Sequence, residues 1–147
     1  ALDEADWTLR ERRGQVLCLL VHASVAAGRP ERGRSALEDL SADPHMLTTE
    51  ALRAMHCGAE AELALHDSEY KAAAQQLRRA VRHWREIGSP AGEAEARLRL
   101  AECLLLVDDR AGAELELHAV ESHLAPATLP YRGRIDALRQ ALHAAGA

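Results

Sequence analysis

The chain between Ser68 and Val107 reads SEYKAAAQQLRRAVRHWREIGSPAGEAEARLRLAECLLLV, and this stretch decides the fold. A polar turn precedes one apolar helical segment, and Gly88-Ser89-Pro90 separates it from a second. Shifting the sequence by about forty residues brings similar residues together, and such a period is typical of stacked repeat proteins. The aligned columns are Gly33, Ala73 and Ala113; Leu37, Leu77 and Leu117; Leu40, Ala80 and Val120; Ala61, Ala101 and Ala141; and the turn residues Gly28, Ser68 and Asp108.

The composition limits the class of protein further. The 147 residues suit one compact domain or three to four stacked repeats, and 48% hydrophobic content is that of a folded chain. Ala and Leu supply most of the apolar residues, aromatics are 3% and Phe is absent, which favours closely packed helices over strands. The net charge of −5 argues against direct nucleic-acid binding. We therefore predict an all-α domain.

Cysteine content and hydropathy predict the compartment. The three cysteines are an odd number, and the chain shows no signal peptide and no apolar run long enough to span a membrane. These features predict a reducing, cytoplasmic location without membrane attachment. The chain starts at Ala1 rather than at a methionine, which suggests a fragment of a longer chain.

Apolar periodicity and helix-stop residues predict seven helices joined by short turns. Gly28 and Pro30 separate the first two, because Gly accepts a left-handed cap and Pro suits the first turn of a helix. Asp43-Pro44 is an N-cap candidate followed by proline, and it predicts the start of the third helix. The expected helices are 3–27, 30–40, 43–66, 69–87, 89–107, 108–124 and 131–145, with a loop at 125–130. They form a single domain over 1–147, with repeats 1–42, 43–88 and 89–126 and a terminal helix at 130–145.

These residues resemble the tetratricopeptide repeat, in which a small residue lies midway along the first helix and small, large and small residues follow down the second. The matching positions are Ala61, Glu69-Tyr70, Ala73, Leu77 and Ala80, and then Ala101, Asp109-Arg110, Ala113, Leu117 and Val120. The first pair departs from the pattern, because Val21 stands where Ala is expected and Gly33 begins the second helix weakly. The resemblance implies antiparallel helix hairpins stacked as a right-handed superhelix, with helices longer than the standard repeat.

A narrower resemblance covers about Leu52 to Leu124. The runs Leu77–Pro90 and Ala94–Ala101 are similar to the helical repeat regions of large bacterial transcription and signalling regulators. This likeness implies a protein- or peptide-binding segment that serves sensing or assembly. The alternatives are a small-molecule-sensing domain of such a regulator and a self-association module.

Residues capable of metal binding or catalysis are present but lack the required spacing. Cys18 and His22 are four residues apart and His56-Cys57 are adjacent, whereas a structural zinc site needs four well-spaced ligands. The chain has no Gly-x-Ser-x-Gly motif, and Asp108-Asp109 are interpreted as acids at a helix start. We predict no metal, no cofactor and no enzymatic activity.

Four arginines cluster at Arg78, Arg79, Arg82 and Arg85. Three of them share one helical face, which could form an anion or nucleic-acid patch. The preferred interpretation is a solvated outer face paired with Glu86 and neighbouring acids.

The tetratricopeptide resemblance also implies a binding site. In such stacks the first helix of each pair lines the concave face, and the residue after the small midpoint residue points into it; here that column is His22, Glu62 and Glu102. Neighbours expected on the same face are Cys18, Met55, His66, Glu95 and Leu98. The resulting prediction is an acidic groove with apolar flanks for a basic or mixed peptide. The alternative is that Glu62 and Glu102 are simply solvated.

The same register makes two predictions about packing. The side chains expected in the core are Leu77, Ala80, Ala101 and Leu117. At the ends of the stack, Trp7, Leu9 and the terminal helix with Ile135, Leu138 and Leu142 lack an obvious partner helix. We therefore expect a weak homodimer or a neighbouring domain.

Overall fold

A computed structural model describes residues 3–125 and 129–144, and these residues form seven α-helices and no strand. The helices are α1 (Glu4–Ala26), α2 (Pro30–Ala42), α3 (Glu50–His66), α4 (Tyr70–Glu86), α5 (Pro90–Leu106), α6 (Arg110–His123) and α7 (Arg132–Ala144). A short 3-10 turn, Leu129–Tyr131, leads into α7. The all-α prediction is confirmed. Residues 126–128 of the expected loop and Ala145 of the expected last helix lie outside the described residues.

The turn residues that recur every forty positions in the sequence share a left-handed backbone conformation. Gly28, Ser68 and Asp108 have φ values of 70°, 61° and 60°, and Gly88 has 64°. At each of these helix ends a backbone N–H bonds back to a carbonyl five residues earlier, as in Glu69 N to Ala64 O at 2.8 Å. Such left-handed caps satisfy carbonyl groups that the helix leaves unpaired.

We expect Ser68→Gly to raise the free energy of unfolding by about 0.5–1 kcal/mol. A non-glycine residue in the left-handed region carries a steric cost of about 1–2 kcal/mol, which glycine avoids. Glycine also makes the unfolded chain more flexible, and this offsets part of the gain in stability. Urea denaturation measures the change. The matched control is Ser35→Gly, an exposed position inside α2, where stability should fall by about 0.5–1 kcal/mol. Equal shifts in both variants would contradict this assignment.

The start of α3 differs from the prediction. Asp43-Pro44 does not open the helix: Asp43 ends α2, and its Oδ1 accepts a hydrogen bond from His45 N at 2.9 Å. That turn carries Met46 into the core, where it is 2% exposed. The helix begins instead at Glu50, where the Thr49 side chain caps Leu52 N at 3.2 Å. The carboxylate therefore stabilises a turn where the sequence pattern had predicted a helix start.

Small residues of the aligned columns lie in the apolar interior. Ala61, Ala73, Ala101 and Ala113 are all fully buried. The side chains expected in the core are confirmed there, with exposures of 3% for Leu77, 1% for Ala80, 0% for Ala101 and 5% for Leu117. The forty-residue register therefore corresponds to real contacts between helices.

The first helix pair packs closely although it departs from the pattern. Val21, where alanine was expected, is fully buried. A Cβ atom on Gly33 would lie 3.4 Å from Val21 O and 3.5 Å from Val21 Cα, so α2 lies against the backbone of α1 at this point. Further along α1, a Cβ on Gly14 would lie 2.7 Å from Leu52 Cδ2, which shows how closely α1 also packs on α3.

The last helix packs against α5 and α6. Ile135 and Leu138 of α7 are buried in the apolar cluster that extends from α3 through α6. Ala141 is exposed, unlike its column partners Ala61 and Ala101, because no described helix packs on that side of α7. None of the described helices has the length and apolar character needed to cross a membrane.

Candidate binding groove

A groove of about 140 Å³ opens where α1, α3, α4 and α5 meet. Apolar side chains supply most of its surface, and three charged side chains lie on its α3 and α5 side. The lining residues are Cys18, Leu19 and His22 of α1; Ala54, Met55, Gly58 and Glu62 of α3; Leu77, Ala80 and Trp84 of α4; and Glu95, Ala96 and Arg99 of α5. Leu19 is 60% exposed and Met55 is half-buried, so apolar surface is accessible from solvent.

Trp84 forms one wall of the groove because Gly92, in the first turn of α5, leaves room for its ring. A Cβ atom on Gly92 would lie 2.4 Å from Trp84 Cδ2, so only glycine lets the indole lie this close to the first turn of α5. Ser89 caps that turn by accepting a hydrogen bond from Gly92 N at 3.3 Å. The indole also packs against the small buried cluster that includes Ala80 and Ala96. The ring is therefore held in place and half-buried.

The structure brings five of the eight residues predicted on the groove face together in this groove: Cys18, His22, Met55, Glu62 and Glu95. The remaining three lie elsewhere. Glu102 is half-buried further along α5, and His66 is exposed in the last turn of α3. Leu98 was expected on the groove face, but it is 0% exposed and packs in the core, so that placement is corrected.

The acidic side chains near the groove are paired with arginines. Arg99 donates to Glu62 at 2.6 and 2.9 Å, linking α5 to α3, and to Glu102 at 2.9 Å. Arg134 of α7 donates to Glu102 at 2.9 Å and to Glu95 at 2.8 Å. We call these five residues the charge network. It contains three acids and two arginines, so the groove edge is much less acidic than the sequence suggested.

The pKa directions agree with this pairing. The hydrogen bonds that Arg99 donates to Glu62 raise the pKa of Arg99 above its usual value, although burial opposes the shift. Burial tends to raise the pKa of Glu102, but hydrogen bonds from Arg134 and Arg99 outweigh it and hold that pKa below its usual value. Both groups are therefore charged at neutral pH.

Sequence reasoning missed Arg99, Arg134 and the place of Trp84 in the groove. A signal for Arg99 existed, since it lies three residues before Glu102 on α5 and 37 residues after Glu62, close to one repeat. No comparable pattern in the sequence pointed to Arg134. Whether its side chain reaches Glu95 and Glu102 depends on how α7 packs against α5.

The arginines of α4 do not form the paired face that was the preferred interpretation. Arg78, Arg79 and Arg82 are exposed and take part in no ion pair within the described part of the chain. Arg85 approaches Glu93 only at 3.9 Å, and Glu86 pairs with none of the four.

The groups suited to metal binding or nucleophilic chemistry are mostly buried or already hydrogen-bonded. Burial raises the pKa of Cys18 to about 11 and also raises that of Cys57 and Cys103, so the thiolate forms needed for either role are disfavoured. Glu50, His83 and Glu86 bring ligand atoms within 4.8 Å of one another. Glu50, however, already accepts a hydrogen bond from His83 at 2.6 Å, which joins the start of α3 to the end of α4, and another from Arg53 within α3.

Comparisons of the chain with models of protein families, with curated proteins and with solved structures found no match. The groove and the surfaces around it are therefore the basis for inferring a function.

Proposed function

We propose that the chain is a non-catalytic, tetratricopeptide-like helical repeat module that binds a protein or peptide partner. The groove receives one apolar side chain of that partner. The observation that carries the proposal is the groove itself, an open apolar surface between helices with Leu19 and Met55 at its rim. In keeping with the resemblance to bacterial regulators, the module serves as a cytoplasmic sensing or assembly segment.

The size of the groove favours a side chain over a whole metabolite. A cavity of about 150 Å³ holds a benzene ring, and the groove offers about 140 Å³. Pockets for drug-sized small molecules usually have volumes of about 300–1,000 Å³. A single Leu, Met or Phe side chain therefore fits the groove better than a complete small molecule does.

The chemistry of the wall supports the same choice. Trp and Met are residue types that contribute strongly to protein interfaces, through large contact area and through adaptability of shape. Trp84 and Met55 supply both here. Because the charge network pairs Glu62 and Glu95 with arginines, affinity would come mainly from burial of apolar surface.

A peptide-display selection tests the proposal. Random heptapeptides are selected on the wild-type chain, and enriched peptides are measured by fluorescence anisotropy. We expect them to share an apolar anchor residue and to bind Leu19→Glu at least about tenfold more weakly, a loss of about 1.4 kcal/mol. Leu115→Glu is the matched control, since Leu115 is 71% exposed on α6 and lies outside the groove. Equal binding to the two variants, or no enrichment, would exclude the groove as a peptide site.

Self-association is a second candidate, and the outer face of α1 favours it. Leu9, Val16 and Leu20 are 66%, 61% and 43% exposed, and their spacing places them on one side of the helix. A second copy packing on this face would remove that apolar surface from water. Sedimentation velocity over a range of concentrations distinguishes this candidate, because Val16→Glu should abolish any dimer while leaving peptide binding in the groove intact.

A further inference from the structure

The outer side of α4 carries a continuous line of cations. Lys71, Arg78, Arg82 and Arg85 are spaced at i, i+7, i+11 and i+14 and share one side of the helix, with Arg79 beside them. We call these five residues the basic stripe. At 1.5 Å per residue it extends over about 21 Å. None of the five lines the groove, which α4 faces through Leu77, Ala80 and Trp84.

The basic stripe is largely unpaired on a surface where pairing is common. Elsewhere, Arg34, Arg97 and Arg99 each hydrogen-bond a carboxylate at 2.6 Å. In the stripe, by contrast, only Arg85 has an acid within ion-pair distance, Glu93 at 3.9 Å, among the residues that the structure describes. Like charges at i and i+4, such as Arg78 and Arg82, repel each other and weaken the helix. An anionic group bound between these arginines would be attracted to both and would offset their mutual repulsion.

We propose that the basic stripe binds an acidic polypeptide segment. A span of about 21 Å corresponds to six or seven residues of extended chain at about 3.3 Å each. Aspartate and glutamate side chains match the fork geometry of guanidinium groups, which form two parallel hydrogen bonds to one carboxylate. The basic stripe is thus a second interaction surface, separate from the groove. It selects a partner by negative charge, whereas the groove selects a partner by an apolar side chain.

Two observations favour an acidic polypeptide over a nucleic acid. The chain has 23 acidic residues against 18 basic ones, and five of the basic residues are in the stripe, so the rest of the surface repels a long polyanion. Neither aromatic residue of α4 is free to stack on bases along the stripe, because Trp84 lies in the groove and Tyr70 is half-buried against the apolar core cluster. A short acidic segment can contact the stripe without approaching the acidic remainder of the surface.

The test uses the full chain and a fluorescein-labelled octaglutamate peptide in fluorescence anisotropy at about 0.1 M salt. Arg78→Glu with Arg82→Glu should weaken binding at least about tenfold. The matched control is Arg12→Glu with Arg13→Glu on α1, which makes the same change in net charge and should alter affinity less than about twofold. Both arginines are exposed, and neither forms an ion pair with any residue that the structure describes. Circular dichroism confirms that each variant keeps its helix content.

Several outcomes would overturn the proposal. The first is that octaglutamate fails to bind the wild-type chain, and the second is that the α1 control loses as much affinity as the α4 variant. The third is tighter binding of a labelled single-stranded or duplex DNA of equal charge than of the peptide, which would identify a nucleic-acid surface. The fourth is a dimer in sedimentation that Arg78→Glu with Arg82→Glu dissolves, which would make a second copy the occupant.

Discussion

Ala101→Phe is expected to lower the free energy of unfolding by about 1–3 kcal/mol, because a well-packed core has no room for the added ring. Ala101 is fully buried in α5 and belongs to the same apolar cluster as Ala61, Ala73 and Ala113, which are also fully buried. A phenylalanine at this position would force helices apart where only small residues separate them. Chemical denaturation measures the loss.

The control for this variant is Ala111→Phe, on the exposed side of α6. The same substitution there displaces no neighbour, and its effect should stay within about 0.5 kcal/mol. If Ala101→Phe were as stable as the wild type, the helix register described above would be wrong.

Arg99→Met should lower the free energy of unfolding by about 2–3 kcal/mol at pH 7. The substitution keeps the volume of the aliphatic stem but removes the hydrogen bonds to Glu62 and Glu102, leaving Glu62 short of a partner at a side-chain exposure of 15%. Breaking a fully buried ion pair costs about 3–5 kcal/mol. The Arg99 side chain is 34% exposed, so solvent screening reduces the expected loss below that range.

The pH dependence identifies electrostatics as the origin of this effect. The folded-state pKa of Glu102 lies below its usual value of 4.5, since the arginine hydrogen bonds outweigh burial. The stabilisation is therefore present above pH 4.5 and is lost as the pH falls through the lowered pKa. The difference between wild type and Arg99→Met should stay level from pH 7 to about pH 4.5 and shrink as the pH falls further, whereas Arg12→Met, at an exposed arginine for which the described residues show no ion pair, should match the wild type throughout. A difference that stays constant with pH would point to lost packing instead.

The repeat period predicted most of the fold, because it records which residues touch across helices. Ala61 and Ala101 are equivalent buried positions on α3 and α5, and Ser68 and Asp108 are equivalent left-handed helix caps. The period could not predict the start of α3. There Asp43 and Pro44 have the sequence of a helix start, but the carboxylate binds His45 N and the chain turns to bury Met46.

The candidate site was harder to predict, because it depends on side-chain reach as well as on register. His22, Met55 and Glu62 line the groove in the structure, and their binding role stays a prediction. Leu98 was misplaced, since a large apolar residue on α5 gains more from the core than from a solvated face. The acidic character was overestimated because Arg134 approaches Glu95 and Glu102 from a helix more than thirty residues later.

The order of the helices in space has a consequence for how the chain folds. Every substantial contact between helices joins elements that are adjacent or next but one in the sequence, from α1 with α2 and α3 to α7 with α5 and α6. Closing such short loops costs little chain entropy, so a helical chain with this topology should fold on the microsecond-to-millisecond timescale. Any neighbouring pair, such as α3 and α4, can form first and recruit the helix on either side.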